Sequence, residues 1–394
     1  MRRDELVKRA LERLDLDLLV CALPINVLLL SGYWPIVGTS VALAMRDGRV
    51  LLLAPKDEDE LAEKSWADDV DTFEAGSLDR IAPLTEVVEA CLRESLGSSA
   101  SQFRRIGYES GPVSQPVSYA AMNLYGGALL EMLRNVLPAA QFTAADDELA
   151  ALRAIKTQAE TDHIRDACQI AAKAFEQGAA LLKTGLPETM VAAMFRIPLS
   201  GCIANSEKSG RCDGFTFCMS GVNSAKAFGA YARSRSKTVE SGDLVLMHCN
   251  SYVDGYWTDI TRTYCMGTPG ERQRKMYAAI SAAREAALAA IRPGARAADV
   301  DKAARDVVTA HGFGKEFKHA TGHGVGFAAI DHNAMPRIHP KSDEVLEPGM
   351  VFNVEPGIYI DDFGGMRHCD MVAVTESGVE LLTPFHSRIE ELTR

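Results

Sequence analysis

The stretch from Leu244 to Tyr264, LVLMHCNSYVDGYWTDITRTY, constrains the fold more than any other part of the chain. Two β-type runs flank Asp254-Gly255, and a two-residue hairpin turn of this kind needs positive φ at both central positions. With Asp254 and Gly255 in the turn, Val253 faces Tyr256, Asn250 faces Asp259 and His248 faces Thr261. Side chains alternate along a strand, so His248, Asn250 and Asp259 share one face. His248 and Asp259 become diagonal neighbours, within reach of one ion or one substrate group. The same face would also suit an edge hairpin turned to water, and the hairpin alone does not choose between the two.

At 394 residues the chain exceeds one small core, and two domains are expected, residues 1–150 and 151–394. In the first, strands and helices alternate. Asp17 to Ala22, Val27 to Ser31, Ser40 to Met45 and Arg49 to Ala54 read as strands, the last two joined at Asp47-Gly48. Leu78 to Leu96 reads as a helix, Arg105 to Glu109 as a strand and Ser114 to Leu137 as largely helical. This is an α/β domain with no catalytic cluster. In the second domain, Thr157 and Glu160 form a capping box ahead of a helix whose buried stripe is Ile164, Ala167, Cys168, Ala171 and Phe175. Helices from Glu188 to Phe195, Glu271 to Ile291 and Asp299 to His311 follow, with a strand at Phe215 to Ser220. Helix, helix and strand recur in that order in both halves of this domain.

A formal charge of -11 argues against nucleic acid and anionic membranes as partners. The nine cysteines show no CxxC pair, which points to reduced thiols and a cytoplasmic protein. Leu18 to Leu30 is apolar but too short to span a bilayer. Cys21, Cys168, Cys249 and Cys265 read as core, and Cys202, Cys212 and Cys218 as core or loop thiols.

The remaining chemistry sits in three places. In Thr321-Gly322-His323-Gly324, the flanking glycines allow close backbone approach around a histidine. In Val354-Glu355-Pro356-Gly357, a strand ends on a carboxylate. Gly364 to Asp370, GGMRHCD, opens a strand, and a hairpin across Asp361 to Gly365 would return Arg367 and Cys369 to Glu355. His319, His339, His368 and His386 read as structural or surface histidines, and Arg262 as an ion-pair partner.

Taken in order, GYWTDITRTY, PGA, TGHGVG, EPGMVF, VEPGIY and GG-R–D resemble the pita-bread metallopeptidases. That superfamily includes Xaa-Pro dipeptidase, aminopeptidase P, methionine aminopeptidase and the metal-independent creatinase. The stretch NVLLLSGYW resembles the creatinase/prolidase N-terminal domain. The resemblance implies an α/β N-terminal domain followed by an α+β pita-bread catalytic domain that hydrolyses a C–N bond in a small peptide or small amide, with Xaa-Pro dipeptides the first candidates. It also implies a homodimer.

Family peptidases hold two divalent ions with an Asp, a second Asp eleven residues on, the His of GHG, the Glu of EPG and a final Glu. Asp259, His323 and Glu355 match this set, while His248 replaces the first Asp and Cys369 the last Glu. Asn250 replaces a family Gly, Phe228 a family His in the preceding loop, and His332 stands for the second active-site His. Arg367 matches an Arg that the family places beside the site.

With two carboxylates lost, two hard ions are poorly neutralised. One reading is a single borderline ion, zinc or iron(II) before manganese or cobalt, held by His248, Asp259, His323, Glu355 and Cys369. Glu355 would then act as general base and His323 or His332 would stabilise the tetrahedral intermediate. A second reading is a metal-independent, creatinase-like hydrolase with a His as acid and base. A third, a noncatalytic binding module on the same fold, leaves the retained Asp259, His323, Glu355 and Arg367 without a purpose.

Overall fold

The computed structural model describes residues 2–35, 39–74, 83–110, 127–200, 211–229, 233–329, 334–385, 388 and 392–394. The chain divides into two compact units, Met1–Arg153 and Ala154–Arg394.

The first unit is built on one six-stranded sheet. Its strands are β1 (Leu18–Cys21), β2 (Val41–Met45), β3 (Val50–Pro55), β4 (Asp69–Phe73), β5 (Arg105–Tyr108) and β6 (Gln141–Ala144). They lie in the order β4-β3-β2-β1-β5-β6, with β2 antiparallel to both β1 and β3 and the other pairs parallel. Helices Leu84–Leu96 and Gly127–Val136 supply Val88, Leu92, Leu129 and Leu133 to the core over this sheet.

One expectation needs correcting. Val27 to Ser31 forms no strand, because Pro24–Ser31 is a helix. Every residue of this helix is buried, so the sequence carries no polar face to reveal the helical period. Pro24 suits its first turn, and Gly32, at φ +75, closes it with an N–H bond to the Leu28 carbonyl. Ahead of its start, Glu109 Oε1 accepts the N–H groups of Ala22 and Leu23, and Oε2 accepts Asn26 Nδ2 at 2.8 Å.

Burial pushes the Glu109 pKa up to about 7, against these hydrogen bonds and Arg153. A folded pKa above the unfolded one means that the folded chain binds the proton more tightly. The contribution is therefore complete below the ordinary carboxylate pKa and is lost as pH rises through about 7, a loss of about 3 kcal/mol. Thermal unfolding of Glu109→Gln beside the wild type should show the variant gaining on it from about pH 5 to about pH 8. A gap that stays constant across that range would refute the shift.

The second unit opens with the expected capping box. Thr157 accepts from the Glu160 N–H and the Glu160 side chain accepts from the Thr157 N–H, at the start of helix Gln158–Leu181. Ile164, Ala167, Cys168, Ala171 and Phe175 are all buried. Helix Glu188–Arg196 follows, then β7 (Cys212–Ser220), β8 (Leu244–Val253), β9 (Tyr256–Trp257) and β10 (Ile260–Cys265). The second half repeats the rhythm. Helices Glu271–Ala290 and Ala297–Ala310 precede β11 (Val351–Val354), β12 (Gly357–Ile360), β13 (Gly364–Arg367), β14 (Asp370–Val374) and β15 (Val379–Leu381). Met276, Ile280, Val300 and Val308 from these helices pack with Phe352, Val354 and Val372 of the strands. Burying these apolar side chains holds the strand ends that carry the polar groups described below. Cys212 is disulfide-bonded, which corrects its reading as a core or loop thiol.

Candidate functional site

The hairpin has the register read from its turn. Asp254 and Gly255 have φ +49 and +87, Val253 pairs with Tyr256, and His248 pairs with Thr261. Thr258 and Asp259 lie between β9 and β10, outside the ladder. There Asn250 Nδ2 donates to the Thr258 carbonyl at 3.0 Å. Cys249, on the opposite face from His248, is in the core.

The glycines beside His323 are required by packing. A Cβ on Gly322 would lie 1.9 Å from the Asn353 carbonyl oxygen, and one on Gly324 would lie 2.0 Å from that of Met335. Asn353 Oδ1 accepts the His323 N–H at 2.7 Å, and buried Asp301 accepts both the N–H and the hydroxyl of Thr321. Glu355 follows β11, its N–H bonded to the Thr321 carbonyl at 2.8 Å. β12 and β13 form the expected hairpin, pairing Gly357 with Arg367. Cys369 then bridges to Thr261 of β10 through reciprocal backbone bonds of 3.3 and 3.1 Å.

These elements bring Asp259, Glu355 and Cys369 together, with one donor atom from each lying within 4.8 Å of the others, all buried. Cys369 Sγ is 3.0 Å from the Asp259 carbonyl oxygen and 3.6 Å from its Oδ1. His323 Nε2 is 3.6 Å from Asp259 Oδ2 and Arg367 Nη1 is 3.6 Å from Glu355 Oε2. His248 is in the site but is turned to other partners, Arg367 and Asn250, each at 2.7 Å. His332 and His386 lie outside the described residues. Phe228 is partly exposed, its ring edge-on to Tyr359 and beneath the Lys318 ammonium.

Burial opposes a charge on His323, yet Asp259 and Glu355 push its pKa up to about 9. Burial also raises Glu355 to about 7, with Arg367 opposing and Asp259 adding to the rise. The Cys369 thiol is pushed up by burial and by both carboxylates. Without a cation the cluster therefore holds protons on His323 and Cys369, positions from which a metal ion could displace them.

Sequence reasoning did not find two supports of the site. Behind Cys369, Asp370 accepts from Arg262 Nη2 at 2.6 Å, Arg284 Nε at 2.5 Å and His368 Nε2 at 3.2 Å. Arg262 is an expected ion-pair partner, but Arg284 sits in an Ala-rich helix with no signal beyond its charge. Beside Arg367, the Tyr359 hydroxyl lies 2.8 Å from Nε2 of His319, a histidine that the sequence marks only as structural or surface.

A two-domain chain that converges carboxylates, a histidine and a cysteine on one buried point defines a pita-bread hydrolase. Residues 162–376 match metallopeptidase family M24, and residues 3–155 match the creatinase/prolidase N-terminal domain. An Xaa-Pro dipeptidase of Pyrococcus furiosus is 37% identical over 243 residues, 62% of this chain and 67% of that protein. An Xaa-Pro dipeptidase of Pyrococcus horikoshii is 29% identical over 96% of this chain and 97% of its own. The crystal structure of the prolidase from Pyrococcus horikoshii superimposes with a TM-score of 0.77 at 27% identity, covering 98% of this chain and 99% of that one. The chain belongs to metallopeptidase family M24. Membership implies the use of a divalent metal. No helix among the described residues is long and apolar enough to cross a membrane.

The donors present fit one such ion better than two. His323 Nδ1 lies 3.0 Å from the Gly324 carbonyl oxygen and donates to it, the usual second bond of a ligating imidazole, which leaves Nε2 facing Asp259. Asp259, Glu355 and an ionised Cys369 carry three negative charges, of which Arg367 balances one. One divalent ion closes the balance, whereas a second would leave a buried excess of positive charge.

Proposed function

We propose that this chain hydrolyses the C–N bond of small peptides of the Xaa-Pro dipeptide class at a centre holding one borderline divalent ion. The convergence of Asp259, Glu355 and Cys369 within 4.8 Å carries this reading. These three residues and His323 would hold the ion, zinc or iron(II), since a thiolate with imidazole and carboxylates suits those ions better than manganese or cobalt. The bound ion supplies Lewis acidity and a water acidic enough to attack near neutral pH.

The chain's own groups do the rest. Glu355 takes the proton of the attacking water on its carboxylate and returns it to the leaving nitrogen. Arg367 keeps that carboxylate oriented from 3.6 Å. We assign His332 to stabilising the tetrahedral oxygen, with His323 engaged by the ion. Burial of Asp259, His323, Glu355, Arg367 and Cys369 excludes bulk water and strengthens these interactions.

One specific observation favours a metal-independent alternative. Asp259 and Glu355 already have His323 and Arg367 as counter-charges. The working protein is expected to be a homodimer, as family members often are. The seven free cysteines among the described residues fit a reducing cytoplasm, although the Cys212 disulfide does not.

The test combines elemental analysis of protein purified without added metal with turnover of Ala-Pro and Gly-Pro. The expected result is about one zinc or iron per chain, lost in Cys369→Ser together with activity. Two ions per chain would refute the single centre, and turnover by metal-free protein would establish the alternative. No turnover with zinc, iron, manganese or cobalt would remove the peptidase reading.

A further inference from the structure

His248 stands where the family's ligand set begins, yet both of its ring nitrogens are committed elsewhere. Nε2 lies 2.7 Å from Asn250 Oδ1. The other end of that amide fixes its orientation, because Nδ2 donates to the carbonyls of Thr258 at 3.0 Å and Ala329 at 3.5 Å. A carbonyl oxygen only accepts, so Nε2 carries a proton. Nδ1 lies 2.7 Å from Arg367 Nη2, and a guanidinium only donates, so Nδ1 offers its lone pair there. Nδ1 is also 3.6 Å from Asp259 Oδ1, where a protonated ring would form an ion pair. A proton there would face the guanidinium at 2.7 Å, donor against donor and cation against cation, and the shorter contact decides. Phe217 stacks on the ring at 6.1 Å and holds its plane.

We infer that His248 is a positioning residue and not a metal ligand or a base. It is a neutral imidazole in the Nε2–H form, set by Asn250, and it holds the Arg367 guanidinium against Glu355. Arg367 is fixed on its other sides by Nε to Thr261 Oγ1 at 3.1 Å and Nη1 to the Ala227 carbonyl at 3.4 Å. The family Asp and Gly are thus replaced together, His248 and Asn250 forming one hydrogen-bonded unit. The charge that Arg367 brings to Glu355 is permanent and cannot be removed by a chelator. The inference rests on the one-ion reading for its count of donors only, since the position of the ring proton needs no ion.

Nitrogen NMR of the full chain with 15N-labelled histidine reads that proton directly, the His248 signals being those missing from His248→Asn. If the variant does not fold, contacts to the Phe217 ring assign them instead. The expected result is a neutral Nε2–H ring in metal-free protein, unchanged by one equivalent of zinc. A proton on Nδ1, an imidazolium, or a zinc-induced shift of these signals overturns the inference. His248→Asn keeps an acceptor for Arg367 but has nothing in place of Nε2. Its zinc affinity should fall by less than about 10-fold, whereas a larger fall, as losing a ligand or its outer partner gives, overturns the inference. Protein that binds no zinc yet shows the Nε2–H ring would sink the one-ion centre and leave this inference standing.

Discussion

Replacing Asp370 with alanine is expected to destabilise the second unit by about 3–5 kcal/mol, the cost of breaking a fully buried ion pair from one side. Asp370 and Arg262 are completely buried and Arg284 nearly so, and the carboxylate accepts from both guanidiniums and from His368. Arg262 would keep the carbonyls of Thr261, Cys369 and Phe385, which satisfy its donors without neutralising its charge. Two like charges would then share a dry site with no counter-ion. Asp370→Asn keeps the shape and one acceptor oxygen but sets its NH2 group against one of the donors that Oδ1 and Oδ2 accept from, so its loss should be of the same sign. Burial opposes the Asp370 charge, yet Arg262, His368 and Arg284 hold its carboxyl well below the usual range. A depressed folded pKa gives stability that is present above the unfolded pKa and is lost as pH falls through the folded one. Burial and Arg262 also lower His368 to about 4. The unfolded chain therefore takes up that proton first, and stability falls as pH drops from the ordinary histidine pKa towards about 4. Urea unfolding at neutral pH, following the transition of the second unit, checks the alanine variant. A loss below about 1 kcal/mol would mean that the guanidiniums find other partners or water, and the cluster would not be the support it is taken to be.

The sequence made legible whatever local chemistry sets. Asp254-Gly255 imposes positive φ and with it the register that brings positions 248 and 259 together. The glycines around His323 and the Pro-Gly after Glu355 mark places where backbone passes close to backbone, and a side chain there would collide. What stayed hidden depends on partners far along the chain. Helix Pro24–Ser31 is apolar on every side, so burial erased the period that identifies a helix. Arg284 meets Asp370 across 86 residues of chain. His248 is the clearest case. Its residue type suggests a ligand, but the use of its lone pair is decided by Arg367, 119 residues away, and by Asn250 two residues on. Sequence gives the place of a side chain on a strand, while the direction in which it spends its hydrogen bonds belongs to the packed structure.

Glu355→Gln is expected to lower kcat on an Xaa-Pro dipeptide by about 10²–10⁴-fold at saturating zinc, the range typical of a lost general base. The substitution preserves volume and leaves an amide oxygen able to accept from Arg367, so folding and substrate positioning should survive and KM should change little. What disappears is the capacity to take a proton. In the metal-free protein burial raises the Glu355 pKa to about 7, with Arg367 opposing and Asp259 adding to the rise, so this carboxyl holds a proton more readily than an ordinary one. Because Glu355 also contributes a donor to the ion, the measurement needs zinc content determined beside rate. A variant that keeps its ion and loses kcat separates proton transfer from metal binding, whereas Cys369→Ser should lose both. Asp259 is not free to take over the role, since His323 Nε2 lies 3.6 Å from its Oδ2. A variant with full zinc and kcat within about 10-fold of the wild type would therefore pass the base's role to a histidine and move the chemistry towards the metal-independent scheme.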